Sequence, residues 1–362
     1  MIEDYLILAR SGLNEVVKKA LFDVYSSDFI EIKNILKKIS VKTPTQDDVL
    51  NEYADTIKNN CEFVTIDGKD YPQELKQIPS APIVLSIKGN KQILKKNIIA
   101  VVGTREPDID DFSSIRAIIG AICDCGSVVA SGLAKGTDCV AHIQSVKYGT
   151  IAVMAHGLNM CYPKEHQLLM DKIVANNGAI ITEYAFHQTP NKINFAKRNR
   201  IIVGIANSTT IMRARKKNSG TMISAKYARE FKRHIYTINP CGENEGNVYL
   251  LQSKVATQIE DIETFRYQLM IDCLKINNQN NTTNDTNTLQ NLYQDEKNND
   301  IIDDFKMAKK ELPYILASSN IQKINEYNFS KALFICKQNT NFSDKNIKQF
   351  LLEKLIDGKT SC

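Results

Sequence analysis

A doubly wound α/β domain with a mostly parallel sheet, bracketed by short helices at both ends of the chain, is the fold class this sequence predicts. Three observations predict it. Six short apolar runs (98–102, 128–131, 150–154, 179–182, 209–212 and 234–238) alternate with segments of helical periodicity. The runs are continuously apolar rather than alternating, the mark of strands buried on both faces by helices. Finally, 362 residues with 43% hydrophobic and 24% charged side chains fit two or three globular domains. Together these define a doubly wound, Rossmann-like architecture.

Taken in order, residues 1–60 read as a small helical domain. Leu6, Leu8, Leu13, Val16, Val17, Leu21 and Val24 recur at helical spacing, and Ser11-Gly12 marks a helix–helix turn. Thr43-Pro44-Thr45 follows as a linker. Phe63-Val64-Thr65-Ile66 runs into the turn signal Asp67-Gly68, and prolines at 72, 79 and 82 forbid a long helix across 71–82. The α/β domain occupies 61–265, with helical segments at 112–123, 139–147, 165–175, 195–202 and 221–231 between its strands. Residues 266–300 are expected to be a linker, because 277–300 is rich in asparagine and poor in apolar groups. Residues 301–362 recover helical periodicity and form a small helical module that does not read clearly as a winged helix.

Composition excludes several classes. No apolar run approaches the roughly 18 residues a membrane helix needs. The acidic start Met1-Ile2-Glu3-Asp4-Tyr5 is unlike a signal peptide, so a cytoplasmic protein is expected. Nine cysteines without a C-x-x-C pair predict free thiols rather than disulfides or zinc. The net charge of +5 conceals an asymmetry. Between Lys192 and Ile235 twelve lysines and arginines face a single carboxylate, Glu230, a local excess of eleven positive charges. Such a stretch inside a patterned domain points to a polyanionic partner, although a solvated basic face has the same composition.

In parallel α/β sheets, ligands bind beyond the carboxyl ends of the strands. Three loops there combine glycine, a hydroxyl residue and a cation: Gly103-Thr104-Arg105, Ser131-Gly132-Leu133-Ala134-Lys135-Gly136-Thr137-Asp138 and Lys216-Lys217-Asn218-Ser219-Gly220-Thr221. Glycine admits close backbone approach, and free N–H groups with a helix dipole attract phosphate. Any one such loop is explained by a turn alone; three on one sheet edge beside the basic stretch favour successive phosphates. A P-loop and a G-x-G-x-x-G fingerprint are both absent, so neither ATP nor dinucleotide chemistry is indicated and no cofactor is expected. Asp138 and His142, four apart, read as a helix cap and a hydrogen-bonded structural histidine rather than metal ligands. Glu183 ends a strand without a partner acid or nucleophile, and Cys161 lies in a turn without a base. No catalytic or metal-binding residue is assigned.

The blocks 98–105, 131–138 with Ala141-His142, Gly157-Leu158 with Tyr162-Pro163-Lys164-Glu165-His166, Asn194-Phe195-Ala196-Lys197-Arg198-Asn199-Arg200-Ile201-Ile202, and Ser219-Gly220-Thr221 with Ala225 come in one order. That order resembles the DprA/Smf family of DNA-processing proteins over about residues 62–265. Asp70-Tyr71-Pro72 through Pro79-Ser80-Ala81-Pro82 to Lys88-Gly89-Asn90 is similar to the family's lead-in. The resemblance implies a dimeric, non-catalytic protein that binds single-stranded DNA and loads the recombinase RecA in natural transformation. It places Arg105, Ser131, Gly132, Lys135 and Gly136 at the phosphate backbone, with Lys197, Arg198 and Arg200 in the adjacent basic segment. The turn at Ser11-Gly12-Leu13 with Lys18-Lys19 resembles a degenerate helix-hairpin-helix. Two departures stand out: Arg213 where a glutamate is expected, making the pocket more basic, and Pro240-Cys241-Gly242 where Pro-Gly is expected.

The expected mechanism is a backbone grip by Gly103, Thr104, Arg105, Ser131, Gly132, Lys135, Gly136, Lys197, Arg198, Arg200, Ser219 and Gly220. It is tolerant of base sequence, and Tyr184 or Phe186 can stack on bases while Phe195 is expected in the core. Neutralising about five phosphates gives a salt slope near −3.5 for a single strand. Two alternatives remain: a nucleotide sensor or phosphoribohydrolase-like enzyme using Glu183, although the Ser219-Gly220-Thr221 loop lacks the closely placed glutamate such hydrolases use, and a protein-interaction module with a basic face.

Overall fold

The computed structural model describes residues 1–216, 219–238, 244–272 and 298–360. Lys217-Asn218, the Pro240-Cys241-Gly242 turn and most of the expected linker (273–297) lie outside the described residues. The chain divides into two compact units, one of Met1–Val49, Pro79–Ile83 and Ile276–Cys362, the other of Leu50–Ile78 and Val84–Lys275.

The first unit is helical. Helices α1 (Ile2–Arg10), α2 (Glu15–Tyr25) and α3 (Phe29–Lys38) open the chain, and α4 (Gln46–Lys58) leads into the second unit. Asn14 caps α2 by accepting from Val17 N at 3.0 Å, which fixes the break read at Ser11-Gly12. The C-terminal helices belong to the same unit, and those at Phe329–Asn339 and Asp344–Thr360 pack against α2, with Leu21, Phe329, Leu351 and Leu355 fully buried.

In the second unit a four-residue helix, α5 (Gln73–Lys76), is all that Pro72 and Pro79 permit. One sheet holds β1 (Cys61–Thr65), β2 (Val84–Gly89), β3 (Ile98–Val102), β4 (Val128–Ser131), β5 (Thr150–Val153), β6 (Ala179–Thr182), β7 (Ser208–Ile211), β8 (His234–Ile238) and β9 (Thr257–Ile259). Their order is β1-β2-β6-β5-β4-β3-β7-β8-β9. The β1–β2 and β2–β6 pairs are antiparallel and all other neighbours parallel. The six strands read from apolar runs lie within one residue of their expected bounds.

Between the strands run α6 (Ile109–Asp124), α7 (Thr137–Ser145), α8 (Gln167–Ala175), α9 (Lys192–Gly204), α10 (Gly220–Glu230), α11 (Glu245–Gln252) and α12 (262–272). The helical unit closes with α13 (Asn298–Ser318), α14 (Phe329–Asn339) and α15 (Asp344–Thr360). One core joins Ile99 and Val101 of β3 to Ile115 and Ile119 of α6 and Phe265 of α12; a second joins Ala152 and Ile180 to Met170 and Ile173 of α8. Each such side chain contributes about 1.5–3 kcal/mol. The result is a stiff edge at the carboxyl ends of the parallel strands.

Candidate nucleic-acid interface

The sheet order reverses at β3, with β4, β5 and β6 on one side and β7, β8 and β9 on the other. Loops leaving β3 and β7 therefore diverge and leave a crevice, the usual ligand position in such sheets. A cleft of about 520 Å³ lies there, walled by Gly103, Thr104 and Arg105 after β3, Ala134 and Asp138 after β4, Ser219 and Gly220 after β7, and Lys192, Phe195, Arg198 and Asn199 of α9. Four separate sequence blocks meet in it.

The loops are locked to one another. Thr137 donates through N and Oγ1 to Thr104 O at 3.1 and 3.0 Å, joining the β3 and β4 loops. Gly136 has φ +74°, and a Cβ there would lie 2.5 Å from the Arg105 carbonyl carbon, so only glycine fits the crossing. Gly132 makes room for a side chain instead: its Cβ would lie 1.8 Å from Arg198 Nη1. Arg198 is buried there and donates to Val153 O at 2.6 Å. The Asp138 carboxylate accepts from Gly132 N at 3.1 Å and Ala134 N at 3.4 Å, closing the loop rather than capping α7. Burial raises its pKa against the opposing pull of Arg198.

The remaining candidates divide sharply. Ser131 is buried and donates to Val101 O at 2.7 Å, away from the cleft. Lys135 is exposed and bonded to Glu165 at 2.5 Å. Lys197 is exposed on α9 outside the cleft wall, and Arg200 is buried in an ion pair with Glu183. The basic stretch is accordingly less charged than its composition. Arg213 pairs with Asp108 and Asp111, Arg215 with Asp108 at 2.8 Å, and Arg233 with Glu74 at 2.7 Å. Arg213, read as making the pocket more basic, is neutralised and does not line the cleft. Four cations of the β3 loop, α9 and the β7 loop, Arg105, Lys192, Lys197 and Lys216, are exposed and have no carboxylate partner among the described residues; Lys226, Arg229 and Lys232, on and after α10, are exposed as well.

The aromatic groups reverse the expectation. Phe186 is buried in the second core, and the Tyr184 hydroxyl donates to Asn194 O at 3.4 Å. Phe195 instead lines the cleft half-buried, with the Arg105 guanidinium 5.8 Å from its ring centre and the exposed Tyr162 ring at 5.3 Å. A cation over an aromatic ring in a cleft wall offers a face to a base and a charge to its phosphate.

Glu183, the acid of the hydrolase alternative, is held by Arg200 and does not line the cleft, and Ser224 occupies the cleft wall three positions after Thr221. His142 Nδ1 bonds Thr150 Oγ1 at 3.0 Å; burial first, then Arg198 and His166, push its pKa down to about 3. His156 is likewise lowered by burial, with Arg198 adding to the shift and the hydrogen bond to Gly157 O opposing it. Both rings are neutral structural groups at pH 7.

The family model for DNA recombination-mediator protein A matches residues 62–270, more than half of the chain. The chain belongs to this family. It is 35% identical over 199 residues to the DNA processing protein DprA of Streptococcus pneumoniae, covering 53% of this chain and 70% of that one. Against Protein Smf of Synechocystis it is 37% identical over 187 residues, 50% of this chain and 46% of the relative, so the chain spans about half of that protein. Among solved structures, the S. pneumoniae DprA superposes with a TM-score of 0.60 at 27% identity, covering 72% of this chain and 95% of that one. The Helicobacter pylori DNA processing protein A, described for its single-stranded DNA binding mode, gives 0.55 at 25% identity, covering 59% and 96%. Among the described residues no helix is long and apolar enough to cross a membrane.

Sequence reasoning undervalued two groups. Lys192 is read only as part of a charge count, although it lines the cleft, and Tyr162 only as part of a turn and of a family-like block, although its ring lies against Phe195. The signal that could have found them is the alternation of cations with aromatic residues across the blocks Tyr162–Lys164 and Lys192–Lys197.

Proposed function

We propose that this protein binds single-stranded DNA along the switch-point cleft and acts without catalysis as a recombination mediator. It presents the strand to a RecA-type recombinase in the cytoplasm, during DNA uptake in natural transformation, as a homodimer. The observation that carries the reading is the cleft wall: the exposed cations Arg105, Lys192 and Lys216 line it together with Phe195, whose ring lies under the Arg105 guanidinium, and glycine loops form the rest. Phosphate contacts supply affinity without reading sequence, and stacking adds about 1–3 kcal/mol per base. Membership of the DNA recombination-mediator family and similarity to the single-strand-binding H. pylori protein support the same reading. The hydrolase alternative loses its acid, since Glu183 is engaged by Arg200.

Titration of labelled oligothymidine against duplex at several salt concentrations tests this. With four exposed cations, log K is expected to fall with log salt at a slope near about −3, at roughly −0.7 per phosphate. Arg105→Ala is expected to weaken binding about tenfold for every sequence and to reduce the slope by about 0.7. A slope near zero, or equal affinity for mononucleotides, rejects the DNA reading. Recombinase filament formation on the same oligonucleotide, with and without this protein, tests the mediator step.

A further inference from the structure

Arg105 lies on the short segment between β3 and α6, whose last residue, Asp108, precedes α6. That segment is held at its start by Thr137 on Thr104 O and at its end by the strap that follows β7. Arg215 Nη2 donates to Glu106 O at 2.7 Å and to Asp108 at 2.8 Å, and Arg213 bridges Asp108 and, at 2.9 Å, Asp111. Asp108 N donates to Asp111 Oδ2 at 2.7 Å, tying the bridge to the first turn of α6. The strap carrying both arginines is itself fixed. Ala214 N donates to Asn247 Oδ1 at 2.7 Å, and Ala214 O accepts from Gly246 N at 2.9 Å. A Cβ on Gly246 would lie 2.6 Å from the Ala214 Cβ, so strap and α11 are in direct contact.

We propose that Asp108 and Arg213 are positioning residues that set the height of Arg105 over the cleft, a role that rests on the DNA-binding reading above. Arg213 is 9% exposed and absent from the cleft wall, so it reaches no phosphate there. Its charge is matched by two carboxylates, and what it transmits is geometry, from α11 through the strap to the loop that bears Arg105. This gives the arginine at this position a purpose other than adding charge to the pocket.

The sign of one substitution separates the two roles. Asp108 carries negative charge close to a polyanion site, so by electrostatics alone Asp108→Asn tightens DNA binding. Positioning predicts the opposite: about tenfold weaker binding to labelled oligothymidine, of the order seen when an ion pair fixing an interface is broken, with an unchanged salt slope. Asp108→Ser, which also keeps a good helix N-cap, is expected to behave alike, and thermal melting of both variants checks that the fold persists. Arg213→Met is expected to weaken binding without changing the slope, whereas direct phosphate contact lowers it by about 0.7. Tighter or unchanged binding by Asp108→Asn and Asp108→Ser overturns the proposal. Failure of the wild-type protein to bind oligothymidine overturns the DNA reading instead.

Discussion

Lysines and arginines occupy two contrasting settings in this chain. In the helical unit Lys18, Lys19 and Lys348 are buried and engaged: Lys18 donates to Ala9 O at 2.8 Å and Glu15 at 2.9 Å, Lys19 to Asp23 at 2.5 Å, and Lys348 to Asp23 at 2.6 Å. Even the Gly12 N–H of the hairpin is bonded, to Lys42 O at 2.8 Å. At the cleft, Arg105, Lys192 and Lys216 are exposed and, like Lys197 outside its wall on α9, have no carboxylate partner among the described residues. The contrast teaches that composition counts charges, whereas burial and pairing decide which of them can meet a polyanion. The hairpin resembles a DNA-binding element in sequence, yet Lys18 ties α2 to α1 and Lys19 is paired within α2.

The largest effect that can break this comparison comes from Lys348→Ala. Asp23 would keep Lys19 and Asp344 would keep Lys337, but both lose the cation of α15, and loss of a hydrogen bond to a charged group costs about 1.5–3 kcal/mol. The helical unit is expected to unfold at lower denaturant, while the affinity of the protein for oligothymidine and its salt slope stay unchanged. A fall in slope like that expected for Arg105→Ala would mean that the buried lysines also reach DNA, and the division between the two settings would fail.

The same contrast explains how much was legible in the sequence. The six parallel strands were readable because strands buried on both faces are written as continuous apolar runs. The antiparallel strand β2 and the three-residue β9 were not, because an edge pairing is decided by distant partners such as Val64 opposite Leu85. The glycine loops were legible because close approach and positive φ leave a residue-type signature, as at Gly132 and Gly136. Charge neutralisation was not: Arg213 finds Asp108 105 positions earlier, and Arg233 finds Glu74 159 positions earlier. Phe195 escaped for a related reason. Helix α9 mixes buried Arg198 and Arg200 with exposed Lys197 and Ile193, so no apolar stripe tells which way its aromatic residue points.

A second, intermediate effect concerns the groups beneath the cleft. His142 is held neutral with a folded pKa of about 3, against 6.5 for an unburied imidazole. Above pH 6.5 both states are neutral and nothing is lost. As pH falls below 6.5 the unfolded chain takes up a proton that the folded protein refuses, so stability declines by about 1.4 kcal/mol per pH unit. Between pH 6.5 and 5 the loss is about 2 kcal/mol. His142→Asn is expected to flatten the dependence of melting temperature on pH over that window, leaving the smaller contribution of His156. DNA affinity of the folded protein is expected to stay level across the same range. An affinity that rises in acid and needs His142 would place the imidazole among the DNA-contacting groups and redraw the comparison.

The smallest effect is the sharpest test of where the line between the settings runs. Lys135 lies in the β4–α7 loop that sequence reasoning placed at the phosphate backbone, yet Glu165 occupies its ammonium at 2.5 Å, which raises the lysine pKa and lowers that of the carboxylate. Both groups are exposed, so the pair is screened and breaks readily. Lys135→Ala is therefore expected to weaken binding by no more than about threefold, well below Arg105→Ala. Glu165→Gln is expected to strengthen it by a similar factor, since it removes a negative charge and frees the lysine. Equal and large losses for Lys135→Ala and Arg105→Ala would show that an exposed carboxylate partner does not withdraw a cation from DNA. Availability at this surface would then be set by exposure alone, and only the buried cations would keep their purely structural role.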